Sequence, residues 1–328
     1  MSSSSELRLG TRGSQLALWQ ARAVAAAIAA SGGPPCRLEI VRTSGDQLQE
    51  APLSQVGGKR LFVKEIEDAL IRGEIDLAVH SSKDMPAVQP DGLAIAAVLP
   101  RENPLDAIVL PQARARTVTS VQDLVAALGQ EPRIGTSSVR RVSQLTRLFT
   151  GARFEPVRGN LDTRLGKLDA GTHDALVLAA AGLNRLGFAS RISLALPVTA
   201  CVPSPGQGIV AVQIRSDDEK TRRIVEKIND SASSAALTAE RALVEALGGG
   251  CQTPIGALAS PTAGNGLKLV AVVVTPDGGR ALHATDTGSS SEAAALGARV
   301  ARQLLDDGAG AILEEARRVP GSVAGLQP

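Results

Sequence analysis

"LRLGTRGSQLALWQ" (Leu7–Gln20) returns, altered, as "PRIGTSSVRRVSQLTRLF" (Pro132–Phe149). Each stretch opens with a short apolar strand pattern ending in Gly-Thr, passes a serine-bearing turn and enters a run of helical periodicity. Ser14 stands where an N-cap belongs, since its hydroxyl can accept from an N–H that the first helical turn leaves unpaired. A second pair of stretches repeats in the same way. "IDLAVHSSKDMP" (Ile75–Pro86) and "HDALVLAAAGLNRLG" (His173–Gly187) each set an Asp before an apolar strand that leads into a loop with a basic residue. Between Gln20 and Ile75 lie a strand, "CRLEIVRT" (Cys36–Thr43), and a helix, "KRLFVKEIEDALIRG" (Lys59–Gly73), which Gly73 stops. This alternation predicts βαβ units, hence mostly parallel sheets with helices on their faces.

The expected architecture is therefore two similar α/β lobes and a small C-terminal α+β domain. Residues 1–102 with 205–221 form the first lobe, 103–204 the second and 222–328 the third unit. "VPSPGQGIVAVQIR" (Val202–Arg215) is a Pro/Gly-punctuated strand suited to returning the chain to the first lobe. In the third unit one helix is expected from Arg222 to about Leu247. A hairpin turning at Pro276–Gly279 and two closing helices complete it.

Composition narrows the function classes. Of 328 residues, 44% are hydrophobic and 21% charged, enough aliphatic surface for a core. Aromatics are 2%, with no Tyr, which disfavours a nucleic-acid binder that stacks bases. The net charge of +2 is unevenly spread. Arg133, Arg140, Arg141, Arg147, Arg153, Arg158, Arg164 and Lys167 stand against only Glu155 and Asp162. Arginine-rich stretches suit planar anions, although a solvated helix face explains such runs equally well. Cys36, Cys201 and Cys251 show no metal-ligand spacing, so no metal is expected, and their odd number suits a reducing compartment. "MSSSSELRLG" has no basic-then-apolar leader, and the apolar stretch Ala23–Ala30 is too short for a bilayer. A cytoplasmic protein, or a mature form already trimmed, is expected, with no membrane or nucleic-acid partner.

Several residues could carry chemistry. Turns that join a strand to a helix present N–H groups to anions. Thr11–Arg12–Gly13–Ser14 and Thr136–Ser137–Ser138, the latter with Arg140 and Arg141, could clamp a polyanion between two lobes; simple capping is the alternative. "RGNLDTRLGKL" (Arg158–Leu168) adds Arg158, Asn160 and Arg164. Lys83 and Asp84 follow a buried strand, where a carboxylate can stabilise developing positive charge or move a proton. His80 reads as a core histidine. Cys251, in "EALGGGCQTPIG" (Glu245–Gly256), follows three glycines. It is either a buried thiol or one displayed beside a bulky ligand.

Seven ordered blocks resemble the porphobilinogen deaminase (hydroxymethylbilane synthase) family. They are "LGTRGSQLALWQA", "PLSQVGGKRLFVKEIEDALIRGEIDLAVHSSKDMP", "RENPLDAIV", "IGTSSVRRVSQL", "RGNLDTRLGKLDAGTHDALVLAAAGLNRLG", "PSPGQGIVAVQIR" and "GGGCQTPIGA". The resemblance implies condensation of four porphobilinogen units into a linear tetrapyrrole with release of ammonia. It implies a dipyrromethane cofactor thioether-linked to Cys251. Asp84 would then stabilise the cationic azafulvene, with Lys83 beside it. Thr136, Ser138, Arg140 and Arg141, together with Lys83 and Asp84, would hold the cofactor. Arg12, Ser14, Lys59, Phe62, Arg158, Asn160, Arg164 and Arg185 would bind substrate. A cytoplasmic monomer is expected. Gln55, where many relatives have Lys, and Arg60, where Gly is common, depart from the pattern. The rival expectation is a non-enzymatic anionic-ligand-binding protein of the type II periplasmic-binding-protein fold, which two such lobes would suit equally.

Overall fold

A computed structural model of the chain describes residues 6–43, 63–114, 118–249 and 253–318. The first sheet is built from β1 (Leu7–Thr11), β2 (Cys36–Ile40), β3 (Leu77–Ser81), β4 (Leu93–Val98) and, from much later in the chain, β10 (Val210–Arg215). Their spatial order is β2-β1-β3-β10-β4; β1 is parallel to β2 and β3, while β10 is antiparallel to β3 and β4. The second sheet comprises β5 (Asp106–Val109), β6 (Arg133–Gly135), β7 (Arg153–Glu155), β8 (Ala175–Ala179) and β9 (Leu194–Ala195). Its order is β7-β6-β8-β5-β9, with β6 parallel to β7 and β8, and β5 antiparallel to β8 and β9. The two sheets have one topology. In each, the fourth strand is the one that arrives from the other lobe, so the chain crosses twice, through 99–105 and 196–209.

Helices cover the sheets. In α1 (Gln15–Ala30) the buried residues Ala21, Val24 and Ile28 fall at helical spacing and pack on Leu7, Leu9, Leu77 and Val79. Ser14 caps it, accepting from the N–H of Ala17 (3.3 Å), and Gly32 leaves it at φ +76. α2 (Lys64–Ile71) completes the first lobe's helices up to β3. The second lobe carries α3 (Val121–Leu128), α4 (Val139–Leu145), α5 (Leu161–Asp169) and α6 (Ala180–Arg185). After α7 (Glu219–Val225), the third unit sets α8 (Ser231–Ala246), α9 (Ala293–Asp306) and α10 (Ala309–Arg318) with an antiparallel sheet of β11 (Ile255–Thr262), β12 (Gly266–Val274) and β13 (Ala281–Ser289). Leu243, Leu269, Val273, Leu296 and Val300 fill that unit's core. Two similar α/β lobes and a small α+β unit are thus what the chain forms.

The details depart from the sequence reading in four places. The single helix expected from Arg222 to Leu247 is two, because Asn229 and Asp230 turn outward from helix to bind backbone. Asn229 Oδ1 accepts from the N–H of Val98 (3.0 Å), and Asp230 caps α8 by accepting from the N–H of Ser233 (2.7 Å). Val225 sits in the first lobe's core, so the boundary expected at 221/222 falls inside α7. The strand begun at Cys36 stops at Ile40, and the segment after β8 enters a short helix, α6, at once.

Candidate functional site

The crossings bring the loop after β3 against the N-terminus of α4. Ser82–Asp84 make a single 3-10 turn, closed by the N–H of Met85 donating to Ser82 O (3.1 Å). Opposite, Ser138 caps α4 by accepting from the N–H of Arg141 (3.4 Å), and buried Thr136 Oγ1 accepts from the N–H of Ser138 (3.3 Å). Asn160 caps α5, accepting from the N–H of Thr163 (2.9 Å). Ser14, Ser138 and Asn160 are therefore helix caps, and the hydroxyl hydrogens of Ser14 and Ser138 are not used by the capping bonds.

Arg140 and Arg141 are buried, 5% and 8% exposed, around a carboxylate that sequence reading passed over. Asp106, the first residue of β5, is fully buried. Arg140 donates to Oδ2 (2.7 Å) and Oδ1 (3.1 Å), and Arg141 Nε donates to Oδ1 (2.9 Å). The arginines also donate to Val202 O and Val177 O, both at 2.7 Å. Burial by itself would raise the carboxyl's pKa; the two guanidiniums and the amide of Gln207 overcome it and hold the group well below the usual carboxylate range. Cys201 donates to Asp106 Oδ2 (3.3 Å), and burial pushes its thiol up to about 12, so it is inert. Two arginines around one aspartate leave the cluster positive.

A cavity opens where all three units meet. Its wall includes Ser82 and Lys83 from the first lobe, Ser138 and Arg140 from the second, and Arg241 and Thr253 from the third. Lys83 donates to Gln207 Oε1 (3.3 Å). Burial lowers its pKa to about 8, with the charges of Asp84 and Asp106 acting against Arg141 and Arg140. Ser82 Oγ is buried and has no hydrogen-bond partner among the described residues. Asp84 stands beside this wall and is half-buried; its carboxylate accepts no hydrogen bond from the described residues. It acts electrostatically on Lys83 next to it and on Arg164 across the cleft. Arg164 is depressed by burial first, then by Arg141, and Arg158 also bears on it. Lys83, Asp84, Arg140, Arg141, Arg158 and Arg164 thus form one electrostatic neighbourhood.

Other expected residues make contacts of their own. Arg12 bears on His80, which is buried against Gln213 (3.1 Å) and lowered to about 4, mainly by burial. His80 is the neutral core histidine expected. Arg185 donates to Gly208 O (2.7 Å) and lies 5.5 Å from the ring centroid of Trp19, tying the second lobe to the first. Cys251, Lys59 and Phe62, with Gln55 and Arg60, lie outside the described residues; Thr253 on the cavity wall is two positions from Cys251. The basic run divides. Arg133 pairs with Asp174 (3.4 Å), Arg153 with Glu131 (3.0 Å), and Arg147 donates to Gly278 O (2.8 Å), all away from the cleft.

Sequence reading also missed Gln207, and the ion pair Arg101–Glu240 (2.6 Å) that pins α8 to both crossings. Glu240 accepts from the N–H groups of Gly206 (2.6 Å) and Ala259 (2.7 Å). The available signal was an acid at the start of an apolar strand in "RENPLDAIV" and an acid inside an apolar helix face; neither position suits an unpaired charge. Among the described residues no group of acidic, His or Cys side chains could hold a metal ion, and no helix is long and apolar enough to cross a membrane.

Comparison with known proteins decides the kinship. Residues 7–223 match the family model "Porphobilinogen deaminase, dipyromethane cofactor binding domain", and 234–306 match "Porphobilinogen deaminase, C-terminal domain". The chain belongs to the porphobilinogen deaminase family. A porphobilinogen deaminase of Syntrophobacter fumaroxidans is 44% identical over 313 residues, 95% of this chain and 98% of its own length. One of Acidithiobacillus ferrooxidans is 45% identical over 95% of this chain and 98% of its own. That of Geotalea daltonii is 42% identical over 94% of each. Among solved structures, an ancestral cationic amino-acid solute-binding protein is 15% identical, covering 68% of this chain and 87% of its own, with a TM-score of 0.40. In the family the larger portion, 7–223, is the dipyrromethane-binding domain, and it contains every described cleft residue named above except Arg241 and Thr253.

Proposed function

We propose that this chain condenses porphobilinogen head-to-tail into the linear tetrapyrrole hydroxymethylbilane, releasing ammonia at each step, with the growing chain anchored through Cys251. The observation that carries this reading is family membership along nearly the whole chain, joined to a cavity where Lys83, Arg140 and Thr253 converge. Dipyrromethane suits that cavity. Its acetate and propionate groups need cationic and hydroxyl donors, and Lys83, Arg140, Ser138 and the unpartnered Ser82 Oγ offer them. When bound, it supplies the anchor and the nucleophilic pyrrole carbon.

The chain's own residues do the rest. Each incoming porphobilinogen brings two carboxylates, for which Lys83, Arg158, Arg164 and Arg12 provide fixed positive charge. Loss of the aminomethyl nitrogen as ammonia leaves positive charge on the incoming pyrrole. A carboxylate free of other duties is needed there, and the two acids of the cleft differ in that respect. Asp106 is sequestered by both arginines. Asp84 has its oxygens unclaimed by the described residues. Asp84 therefore stabilises the cation, accepts from the pyrrole N–H and assists the proton that leaves the ring carbon.

Intact mass of the denatured, purified protein tests this. The expected result is an adduct of two pyrrole units on the wild type, absent from Cys251→Ser, together with porphobilinogen consumption by the wild type alone. A wild type at its bare sequence mass that binds porphobilinogen without consuming it would overturn the reading in favour of a ligand-binding protein.

A further inference from the structure

Gln207 joins the two halves of the cleft. It lies on the second crossing and is fully buried. Its Nε2 donates to Pro104 O (2.7 Å) and to Asp106 Oδ1 (3.0 Å), while its Oε1 accepts from Lys83 Nζ (3.3 Å). The amide fits only this way round. A carbonyl and a carboxylate accept, and an ammonium only donates, so exchanging oxygen and nitrogen would oppose like groups at all three contacts. The backbone is held equally well: the N–H of Gln207 donates to Ser204 O (2.9 Å), and its carbonyl accepts from Arg101 Nε (2.9 Å). The flanking glycines, Gly206 at φ +72 and Gly208 at φ +88, permit the tight approach. A Cβ on Gly206 would lie 2.7 Å from Ser82 Oγ, and one on Gly208 would collide with Glu102 O.

We propose that Gln207 is a positioning residue for the condensation: it holds the Lys83 ammonium at the cleft wall and ties it to the Asp106–arginine cluster of the opposite lobe. The inference rests on the reading of the cleft as a porphobilinogen-condensing site. An amide suits the task better than a carboxylate, because it orients the ammonium without cancelling its charge, which stays available to a ligand's carboxylate. It also spaces Lys83 from Asp106, the anion that would otherwise compete for it. A lysine side chain with four rotatable bonds loses much entropy when fixed, and an acceptor already buried and locked lowers the loss on ligand binding. The charged groups that bear on Lys83 are Asp84, Asp106, Arg140 and Arg141.

The test compares Gln207→Met and Gln207→Glu with the wild type, each as cofactor-loaded full chain. Porphobilinogen consumption is followed between about pH 6.5 and 9.5, with intact mass to verify the adduct. Gln207→Met is expected to raise KM about tenfold with kcat changed less than about threefold. Its alkaline limb in kcat/KM, set near pH 8 by Lys83 in the wild type, shifts to lower pH because the ammonium has lost its acceptor. Gln207→Glu shifts the same limb to higher pH, because a carboxylate now faces the ammonium. General loosening of the fold would not move the limb in opposite directions. Loaded variants that keep the wild-type KM and limb, or limbs that move the same way, would overturn the proposal. Should Gln207→Met fail to fold by circular dichroism, the limb of Gln207→Glu decides alone: upward supports, unchanged or downward overturns. A wild type that consumes no porphobilinogen would instead overturn the underlying reading.

Discussion

The two lobes share a strand order and put different chemistry at matching places. The first residue of β10, Val210, pairs with Ser81 at the end of β3; the first residue of β5, Asp106, pairs with Ala179 at the end of β8. Both positions open the crossing strand. Counting from the caps Ser14 and Ser138, Leu16 and Ala17 in the first lobe correspond to Arg140 and Arg141 in the second. One lobe thus carries Val, Leu and Ala where the other carries Asp, Arg and Arg. The segments after the central strands differ in the opposite sense: Ser82, Lys83 and Asp84 follow β3, whereas Ala180, Ala181 and Gly182 follow β8. At these matching positions the buried arginines of the second lobe go together with a counter-charge on the crossing strand, and the first lobe has neither. On the proposed function the lobes also divide labour: the first offers the carboxylate that would act, and the second a pre-paired cationic wall.

Breaking the first lobe's share should have the largest effect. Asp84→Ala is expected to keep the adduct mass while slowing porphobilinogen consumption by about 10²–10⁴-fold. Near-normal turnover would remove Asp84 from the chemistry and leave the lobes without the division drawn above. The second lobe's share is tested by giving it the first lobe's solution. Asp106→Val leaves two buried guanidiniums unpaired and should cost about 3–5 kcal/mol in thermal or urea unfolding. Adding Arg140→Leu and Arg141→Ala should recover part of that stability while abolishing cofactor loading. A single Asp106→Val as stable as wild type would show that the counter-ion is dispensable.

The smallest effect sharpens the role of Lys83. Its folded pKa, about 8, lies below the ordinary lysine value of 10.5 because burial disfavours the ammonium. Below about pH 8 the ammonium is present and costs stability; as pH rises from there to the unfolded value, the unfolded chain holds more protons and stability rises. Binding runs the other way. A carboxylate ligand needs the charged form, so KM for porphobilinogen should rise above pH 8, by at most about tenfold per pH unit. A KM flat from pH 7 to about 9.5 would show that Lys83 does not meet substrate charge.

Much of the fold was legible because strand-to-helix periodicity and Ser, Asp or Asn caps are local. Leu7–Thr11, Gln15–Ala30, Leu77–Ser81 and the Pro276–Gly279 turn stand where their residue patterns place them. The break at Asn229–Asp230 was missed because it depends on a partner elsewhere: Asn229 turns from the helix to bind Val98 on another strand. At the site, Lys83, Arg140 and Arg164 were legible as basic residues at strand and helix ends. Asp106, Gln207 and Glu240 were not, since each looks ordinary beside its sequence neighbours and gains meaning only from groups at the other end of a crossing.

By itself the sequence determined the kinship, the two α/β lobes and the basic residues available to a polyanion, because motifs and periodicity are properties of consecutive residues. Only the tertiary structure decided which of those charges are spent. It sent Arg133, Arg147 and Arg153 to partners away from the cleft and closed Arg140 and Arg141 around Asp106. It left Asp84 as the cleft carboxylate whose oxygens no described donor claims. The physical reason is that the state of a charge is set by burial and by its nearest counter-charge, and the counter-charge that closes Arg140 and Arg141, Asp106, opens the strand that a chain crossing delivers.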